Sequence, residues 1–413
     1  MRTPFGMIIL FAILILLDLY VYYAIRSLVN IRYRNLFFYI FWTFSILTIA
    51  AILVFSLSGP EAMPKKFRTY LFAVIVAISF SKLVAATFFL VDDIRRLFQW
   101  IAGKVFFSNT EGSQISDATI SRSAFLSWLG VAAGSSLFGS LIYGFSNKYN
   151  YVIKTVQIPF PNLPPAFKGF RIVHFSDVHA GSFTNKKAVA HGVDMINSVK
   201  ADLAIFSGDL VNDRASEMDN YKDVFNKVRA TYGVFSTLGN HDYGDYATWP
   251  YQGVTKAQNL ENLKKIHAGM GWKLMMNEHT VLEKDGQQIA LLGVENWGAK
   301  ARFPKFGDLE KAHAGTEKYP FKILISHDPS HWDAKVRPEF PDIDLTLSGH
   351  THGMQFGVDI PGFQWSPVEY IYKEWKGLYS EGKQKIYVNP GYGFIGYPGR
   401  VGILPEITVI ELV

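Results

Sequence analysis

Cysteine is absent from this 413-residue chain, and charged residues are scarce. The absence of cysteine excludes disulfide bonds, thiolate catalysis and zinc sites built from cysteine. Charged residues make up 18% of the chain and hydrophobic residues 49%, which is too apolar for a purely soluble protein and too charged for a purely membrane one. The net charge of +6 is spread over short loops, so no nucleic-acid partner is expected.

Most of the apolar excess lies before residue 150, in four long hydrophobic runs. They cover residues 6–25, 36–57, 70–91 and 123–145, and a helix needs about 20 residues to cross a bilayer. One such run alone also fits a buried core helix, but four of them separated by charged loops favour membrane helices. The sequence therefore predicts a membrane domain over residues 1–147, with four transmembrane helices and the lipid bilayer as a partner.

Basic residues in the loops indicate how this domain is oriented. The loops after the first and third runs hold seven lysines and arginines, and the opposite face holds six. Because these residues favour the cytoplasmic side, the small excess puts both chain ends outside the cytoplasm. The segment around Arg122 resembles a degraded twin-arginine export signal, although a basic residue that merely flanks a helix explains it equally well. We expect an integral protein of a bacterial cell membrane in which the chain after residue 147 lies on the extracytoplasmic side.

Two ionisable residues lie inside the hydrophobic runs. Asp18 and Lys82 are each 12 residues into their run, and the first and third helices run in the same direction. An isolated charge at that depth is costly, so we hypothesise that the two pair; otherwise each snorkels or lines a partner interface. Residues 94–105 repeat apolar side chains at helical spacing, which predicts a separate helix lying in the membrane interface. A polar loop is predicted over residues 108–119.

After residue 147 the composition changes from membrane-like to globular. Residues 148–169 contain four prolines and are interpreted as a proline-rich linker, and residues 170–413 as one domain. Short β-rich runs alternate there with helical stretches, which predicts an α/β fold. The predicted strands are 171–175, 203–207, 234–237, 289–294, 322–325, 345–348, 386–389 and 406–411. The predicted helices are 186–200, 220–229 and 257–268.

Five short polar motifs follow the predicted strands. In chain order they are Asp177-Val178-His179, Gly208-Asp209, Gly239-Asn240-His241-Asp242, His327 and Gly349-His350-Thr351-His352. Loops that leave the carboxyl ends of neighbouring parallel strands converge on one crevice. Aspartate, asparagine and neutral histidine supply the oxygen and nitrogen ligands that suit Mn, Fe or Zn. Each motif alone is weak, but all five in order predict a site for two divalent metal ions.

This ordered set resembles the calcineurin-like metallophosphoesterase superfamily, and more narrowly the membrane-attached YkuE-like branch, which also includes lipid A pathway hydrolases. The similarity covers about residues 150–413, including the approach from Leu163 to Val173 and the ending from Arg400 to Thr408. One departure is Met354, where glycine commonly stands. The resemblance implies a four-layer αββα sandwich, here preceded by the four membrane helices.

The resemblance also implies roles for the motif residues. Asp177, His179, Asp209 and His352 are expected to bind one metal, and Asp209, Asn240, His327 and His350 the other, with Asp209 bridging. His241 is expected beside the scissile phosphate, as a cation or proton donor, and Asp242 is expected to orient it. These are the predicted catalytic residues and metal ligands.

Several other residues are candidates for a functional role. His174 is more typical of a packed core histidine than of a ligand. Asp213 and Asp328 closely follow motif residues and are candidates to support them. Residues 391–396 match a dinucleotide fingerprint by spelling, but too little chain remains for the required unit, so a turn near the site is predicted. An aromatic-rich segment, Phe363, Trp365, Tyr370, Tyr372 and Trp375, is either an ordinary packed loop or an apolar wall or membrane-facing rim.

The predicted function is hydrolysis of phosphomonoester, phosphodiester or pyrophosphate bonds. Membrane attachment suggests a lipid-linked phosphate ester as the substrate, and the resemblance suggests UDP-2,3-diacylglucosamine-type glycolipid precursors; an extracytoplasmic site argues against that cytoplasmic nucleotide. The alternatives are a tethered nucleotidase or phosphodiesterase for soluble substrates, a non-enzymatic membrane scaffold, and a small transporter with a regulatory domain. The scaffold is disfavoured because every motif residue is retained.

Overall fold

The computed structural model describes residues 4–58, 63–106, 122–300, 303 and 305–413. It divides into two compact units, Met1–Tyr143 and Gly144–Val413. We call them the membrane unit and the hydrolase unit, after the functions predicted for them from the sequence, and describe each by itself.

Four long helices make up the membrane unit and run into the first residues of the hydrolase unit. They are α1 (Pro4–Arg26), α2 (Arg34–Ser58), α3 (Lys65–Phe106) and α4 (Ala124–Asn147). By length and composition, all four are long and apolar enough to cross a membrane. The prediction of four membrane helices is confirmed, and the chain is an integral membrane protein.

Helix α3 differs from its prediction, because it is a single helix of 42 residues. Residues 94–105 are helical as predicted, but they continue α3 without a break and do not form a helix of their own. Nothing between Lys65 and Ala102 breaks the helix, because this stretch contains neither glycine nor proline. At 1.5 Å per residue the helix is about 63 Å long, roughly twice the hydrocarbon thickness. The predicted loop at 108–119 lies outside the described residues.

The hypothesis that Asp18 and Lys82 pair is confirmed. The Lys82 ammonium donates to a carboxylate oxygen of Asp18 at 2.6 Å and to the hydroxyl of Ser45 on α2 at 3.0 Å. Both charged side chains are largely buried. Since an unpaired charge in the hydrocarbon layer is expensive, this pair links α1 and α3 at the depth where either residue alone would be least stable.

The hydrolase unit begins after α4 and contains two six-stranded sheets and a small hairpin. The strands are β1 (Val152–Ile158), β2 (Arg171–Phe175), β3 (Leu203–Phe206), β4 (Val234–Ser236), β5 (Trp272–Leu274), β6 (Glu278–Lys284), β7 (Gln287–Gly293), β8 (Lys322–Ile325), β9 (Leu345–Ser348), β10 (Val358–Ile360), β11 (Phe363–Trp365), β12 (Gly377–Glu381), β13 (Gln384–Val388) and β14 (Glu406–Leu412). The helices are α5 (Lys186–Ser198), α6 (Lys222–Phe225), α7 (Lys256–Gly269), α8 (Leu309–His313) and α9 (Arg337–Glu339).

The two main sheets pack face to face. Their strand orders are β1-β14-β2-β3-β4-β5 and β12-β13-β9-β8-β7-β6. Apolar side chains from both sheets, such as Ile172, Ile205, Ile323 and Leu347, form the core between them. A second core lies between the first sheet and α5 to α7, and a third covers the outer face of the second sheet beside α8. These layers confirm the predicted αββα sandwich.

The segment interpreted as a linker, residues 148–169, is part of the sandwich. Residues 152–158 form β1, which pairs in parallel with β14 from Val152↔Glu406 onward. Phe160, Leu163 and Phe167 are buried in the core between the sheets. The reading as a free linker is therefore wrong. The prolines lie after the strand, and the alternating exposure along β1 is typical of a half-buried edge strand.

The sheet topology brings the motif loops together. Strands β2, β3 and β4 are parallel neighbours, as are β8 and β9, so the loops that follow each set leave from one end of their sheet. We call the end of the sandwich where these loops meet the ligand edge. Strand β14 runs antiparallel to β2, and β1 runs parallel to β14. Consequently the chain enters β1 at the ligand edge.

Candidate metal centre

Five of the seven predicted ligands have a left-handed backbone. The φ angles are 53° at Asp177, 48° at His179, 60° at Asp209, 74° at His350 and 52° at His352. Non-glycine residues adopt this region rarely, at a cost of the order of 1 kcal/mol or more each. The concentration of strain in the loops that end β2, β3 and β9 indicates that these backbones are held to aim side chains and not to stabilise the fold.

A first group of side chains converges around Asp177. The Nε2 atoms of His179 and His352 lie 3.0 Å apart. The Nε2 of His352 is 3.2 Å from a carboxylate oxygen of Asp177, and that of His179 is 3.5 Å from one of Asp209. These are the four residues predicted to share one metal.

A second group converges around Asp209. The Nε2 of His327 lies 3.2 Å from an Asp209 oxygen and 3.3 Å from the Nδ1 of His350. The same Nδ1 is 2.8 Å from the Asn240 side-chain oxygen. The structure thus brings together all seven predicted ligands, with Asp209 between the two groups.

These side chains fit divalent cations. Ligands 2.0–2.1 Å from a tetrahedral ion are about 3.4 Å from one another, close to the spacings observed within each group. Asp177, Asp209 and His327 are almost completely buried, and among the described residues neither carboxylate forms an ion pair with lysine or arginine. Such a buried concentration of oxygen and nitrogen donors is what Mn, Fe or Zn sites require.

The electrostatics of the site favour positive charge. Burial alone would raise the pKa of Asp209, but His327 and His241 outweigh it and hold that pKa well below its usual value. Burial lowers the pKa of His327, yet Asp209 and Asp177 raise it more strongly, to about 10. The two carboxylates therefore create a negative field that attracts cations to this group of side chains.

Close packing around the ligand loops explains two motif glycines. A Cβ atom at Gly349 would collide with the Ser176 hydroxyl and the Asp177 carboxylate. Gly208 has a φ of 103°, and a Cβ there would lie 2.6 Å from the Gly239 nitrogen. The glycines permit the loops after β2, β3, β4 and β9 to approach at backbone distance.

Hydrogen bonds fix the orientation of two ligand rings. Nδ1 of His327 lies 2.8 Å from the Ser207 carbonyl, which can only accept, so Nδ1 keeps its proton and Nε2 is the nitrogen that would bind a metal in place of its own proton. For His350 the chain of bonds runs from Nε2 to the Tyr372 hydroxyl at 2.9 Å and on to the Asp328 carboxylate at 3.4 Å. This arrangement leaves Nδ1 of His350 available as the ligand atom.

His241 lies beside the ligands, but Asp242 does not contact its ring. The His241 Nδ1 donates to the Asn212 carbonyl at 2.8 Å, and its ring packs edge-on against that of His179 at 5.0 Å. The Asp242 carboxylate instead accepts from the backbone N–H groups of Asp209, Leu210, Val211 and Gly239. The expectation that Asp242 orients His241 is therefore wrong. Adjacent residues of this short 3₁₀ turn face different directions, and Asp242 holds the Asp209 loop in place.

The other candidate residues lie in different environments, which distinguish core residues from residues at the site. His174 is buried and bonds to the Ser207 hydroxyl, as expected for a core histidine. Asp328 supports the site through Tyr372. Burial raises the pKa of Asp213 to about 6, against the opposing effect of His241. In the turn at residues 391–396, Gly393 donates to the Asp177 carbonyl, so the turn lies at the site as predicted.

Sequence reasoning missed Tyr372 and Arg400 as site residues. The Arg400 guanidinium is fully buried and donates to the carbonyls of Pro390 and Gly393. It therefore fixes the turn that packs on Asp177. Arg400 begins the ending of the chain that resembles the family, and this resemblance could have marked it as a site residue. Tyr372 lies 20 residues after His352, and nothing in the sequence except its place in the aromatic segment indicated a role at the site.

Comparison with known proteins agrees with this geometry. The model of the calcineurin-like phosphoesterase family matches residues 170–354, and that of the transmembrane domain of probable calcineurin-like phosphoesterases matches residues 1–148. The uncharacterized metallophosphoesterase YkuE of Bacillus subtilis is 30% identical over 302 residues, covering 71% of this chain and 98% of that protein. The chain belongs to the calcineurin-like metallophosphoesterase family.

Two further relatives of this metallophosphoesterase differ in how much they share with it. A transmembrane protein with metallophosphoesterase domain from Danio rerio is 31% identical over 264 residues, 62% of this chain. The chain spans only 56% of the length of that relative. The phosphodiesterase YaeI of Escherichia coli is 27% identical over 301 residues, which is 71% of this chain and 100% of that protein. The prediction of a membrane-associated metallophosphoesterase is thus confirmed.

Proposed function

We propose that this metallophosphoesterase hydrolyses phosphate esters of membrane lipids through two divalent ions held by Asp177, His179, Asp209, Asn240, His327, His350 and His352. The observation that carries this proposal is the convergence of seven oxygen and nitrogen donors, six of them on buried residues, in two groups joined by Asp209. When bound, such a pair of ions supplies Lewis acidity and an activated water for in-line attack on phosphorus.

The protein's own side chains supply positioning and a proton. Because the Nδ1–H of His241 is committed to the Asn212 carbonyl, Nε2 is the nitrogen that can carry a transferable proton. A protonated His241 stabilises negative charge on the phosphate and donates to the leaving oxygen. The backbone N–H of His241 donates to Asp209 at 2.9 Å, which links the position of this ring to that of the bridging carboxylate.

The connection between the units supports a substrate at the membrane surface. Only residues 148–151 separate the end of α4 from β1, so Val152 lies within ~18 Å of the last helical residue. Within the hydrolase unit, the Arg400 N–H donates to the Gly144 carbonyl at 2.9 Å, and the Arg400 guanidinium packs against the turn beside Asp177. The chain that leaves the fourth membrane helix therefore enters the hydrolase unit at its ligand edge.

Phosphodiesters are the first substrates to test, because the Escherichia coli relative is named a phosphodiesterase. The full-length protein is reconstituted in vesicles with Mn, Zn or Mg and assayed on a lipid phosphodiester, a lipid phosphomonoester and bis-p-nitrophenyl phosphate. Metal-dependent release of product from a lipid ester supports the proposal. Hydrolysis of the soluble ester alone favours the tethered soluble-substrate enzyme, and no hydrolysis with bound metal overturns it.

The role of His241 is tested by His241→Ala. Loss of a proton donor lowers kcat by about 10²- to 10⁴-fold, and the loss is smaller for esters whose leaving group needs no proton. His191→Ala is the matched control, because His191 is exposed on α5 and remote from the motif loops in sequence. An equal loss for good and poor leaving groups would contradict the role as proton donor.

We also propose that the hydrolase unit lies outside the cytoplasm, on the basis of the charge excess in the loops after the first and third spans. A fusion of alkaline phosphatase after Val413 is then active, and a fusion of a cytoplasm-dependent fluorescent protein is dark. The reverse pattern would place the site in the cytoplasm.

A further inference from the structure

Exposed apolar side chains of the hydrolase unit concentrate in one segment. Among its described residues, eleven large hydrophobic side chains are exposed, and six of them lie within residues 354–371. These six are Met354, Val358, Ile360, Phe363, Tyr370 and Ile371, and we call them the apolar hairpin surface. Scattered exposed apolar residues are normal, but a contiguous group marks an interaction site.

The segment contains a two-stranded hairpin of its own. Strands β10 and β11 pair only with each other and belong to neither main sheet. At the tip, Ile360 is 56% and Phe363 54% exposed, and Tyr370 just beyond the hairpin is 78% exposed. The aromatic segment thus divides, since Tyr372 and Trp375 are buried while Phe363 and Tyr370 face outward.

The base of the hairpin is joined to the ligand loops. Gly357 donates to the Val401 carbonyl at 2.9 Å, and the Ser366 hydroxyl donates to the Gly353 carbonyl at 2.9 Å, next to the ligand His352. The hairpin is therefore hydrogen-bonded directly to the loop that carries the ligand His352.

The occupant is indicated by where the chain enters from the membrane. A cleft of about 670 Å³ is lined on one side by Val152, Ile153 and Lys154, and on the other by hairpin residues 359–364. Val152 follows the end of the fourth membrane helix by five residues, a reach of at most ~18 Å. The hairpin thus lies beside the first residues of β1, which follow the fourth membrane helix along the chain, and a lipid surface is the occupant that this connection favours.

We infer that the apolar hairpin surface inserts into the interfacial layer of the membrane that holds α1 to α4, and so presents the metal site to lipid phosphate groups. Aromatic and aliphatic side chains on a small hairpin bind at the headgroup boundary by burying apolar area. The substrate-presenting role rests on the proposed function, whereas the insertion itself does not.

The natural absence of cysteine permits a direct test of insertion. Phe363→Cys is labelled with an environment-sensitive fluorophore in full-length protein in phosphatidylcholine–phosphatidylglycerol vesicles that carry nitroxide lipids. The matched control is Lys383→Cys, at the exposed turn between β12 and β13. We expect blue-shifted emission and strong nitroxide quenching at position 363 only. Equal quenching at both positions overturns the inference. A blue-shifted but unquenched probe at position 363, whose emission depends on protein concentration, also overturns it, because that result indicates a second copy of the chain as the occupant.

A second measurement separates insertion from catalysis. The double variant Ile360→Ser/Phe363→Ser should hydrolyse a lipid ester in vesicles about tenfold more slowly, because two apolar anchors are removed, while the rate on a soluble ester stays unchanged. Leu378→Ser, an exposed apolar residue on β12, is the control. Quenching at position 363 without any lipid hydrolysis would refute the proposed substrate and keep the insertion. An unchanged lipid rate in the double variant would refute the presenting role.

Discussion

In the membrane unit, the described carboxylates of Asp18, Asp92 and Asp93 each face a lysine or arginine. In the hydrolase unit, Asp177 and Asp209 are as deeply buried, but among the described residues their ion-pair partners are histidines only. The membrane unit therefore balances its buried charge with its own side chains. The ligand edge of the hydrolase unit leaves a negative field that an external cation must balance.

This difference indicates the role of the charged residues in each unit. Asp18 and Lys82 join two helices in hydrocarbon, where pairing reduces the cost of both charges. Asp177 and Asp209 sit on strained left-handed backbones with histidine nitrogens around them, a costly arrangement that a fold would not keep for stability alone. Buried carboxylates that face histidines, and neither lysine nor arginine, thus indicate the metal site as clearly as the motifs do.

Asp209→Asn should produce the largest effect, because it removes the charge shared by both ligand groups. We expect kcat to fall by more than about 1000-fold and bound metal to drop below one ion per chain, measured by elemental analysis beside the activity assay. Asp194→Asn, exposed on α5, is the matched control. Retention of two tightly bound ions by Asp209→Asn would show that this carboxylate does not bridge them.

The Asp18–Lys82 pair should affect stability and not chemistry. Asp18→Leu or Lys82→Met alone leaves one uncompensated buried charge and should destabilise the membrane unit by about 3 kcal/mol. The double variant should recover most of that loss, measured as thermal stability in lipid nanodiscs. Phosphoesterase activity per folded molecule should stay at the original level in all three. A double variant no more stable than the weaker single variant would argue against the pairing as the cause.

The comparison of the two units also explains how much of the structure could be predicted from the sequence alone. Strands β2, β8 and β9 were predicted to the residue, because each is an apolar β-rich run directly followed by a ligand motif. Strands β1, β5, β6, β10, β11 and β12 were missed, because they are short, or amphipathic, or lie at the margins of their sheets. All seven ligand positions converge as predicted, since local motifs specify them. The partners of His241 and His350 come from distant or backbone groups, which no local pattern encodes.

Tyr372→Phe tests one of the contacts that no local sequence pattern predicts, and it is the variant with the smallest expected effect. The variant removes the hydroxyl between His350 and Asp328 but keeps the aromatic ring that packs in a small core with Val368 and Trp375. Partners of a metal-bound histidine typically contribute 10- to 100-fold in metal affinity, so we expect about tenfold weaker binding of one ion, with kcat at saturating metal reduced by no more than about threefold. Tyr370→Phe, two residues earlier and exposed, is the matched control. If excess metal fails to rescue Tyr372→Phe, the hydroxyl acts on the substrate itself and not through the His350 ring. In that case the Tyr372 hydroxyl would act on the substrate, a role that the comparison of the two units assigns to a metal ion.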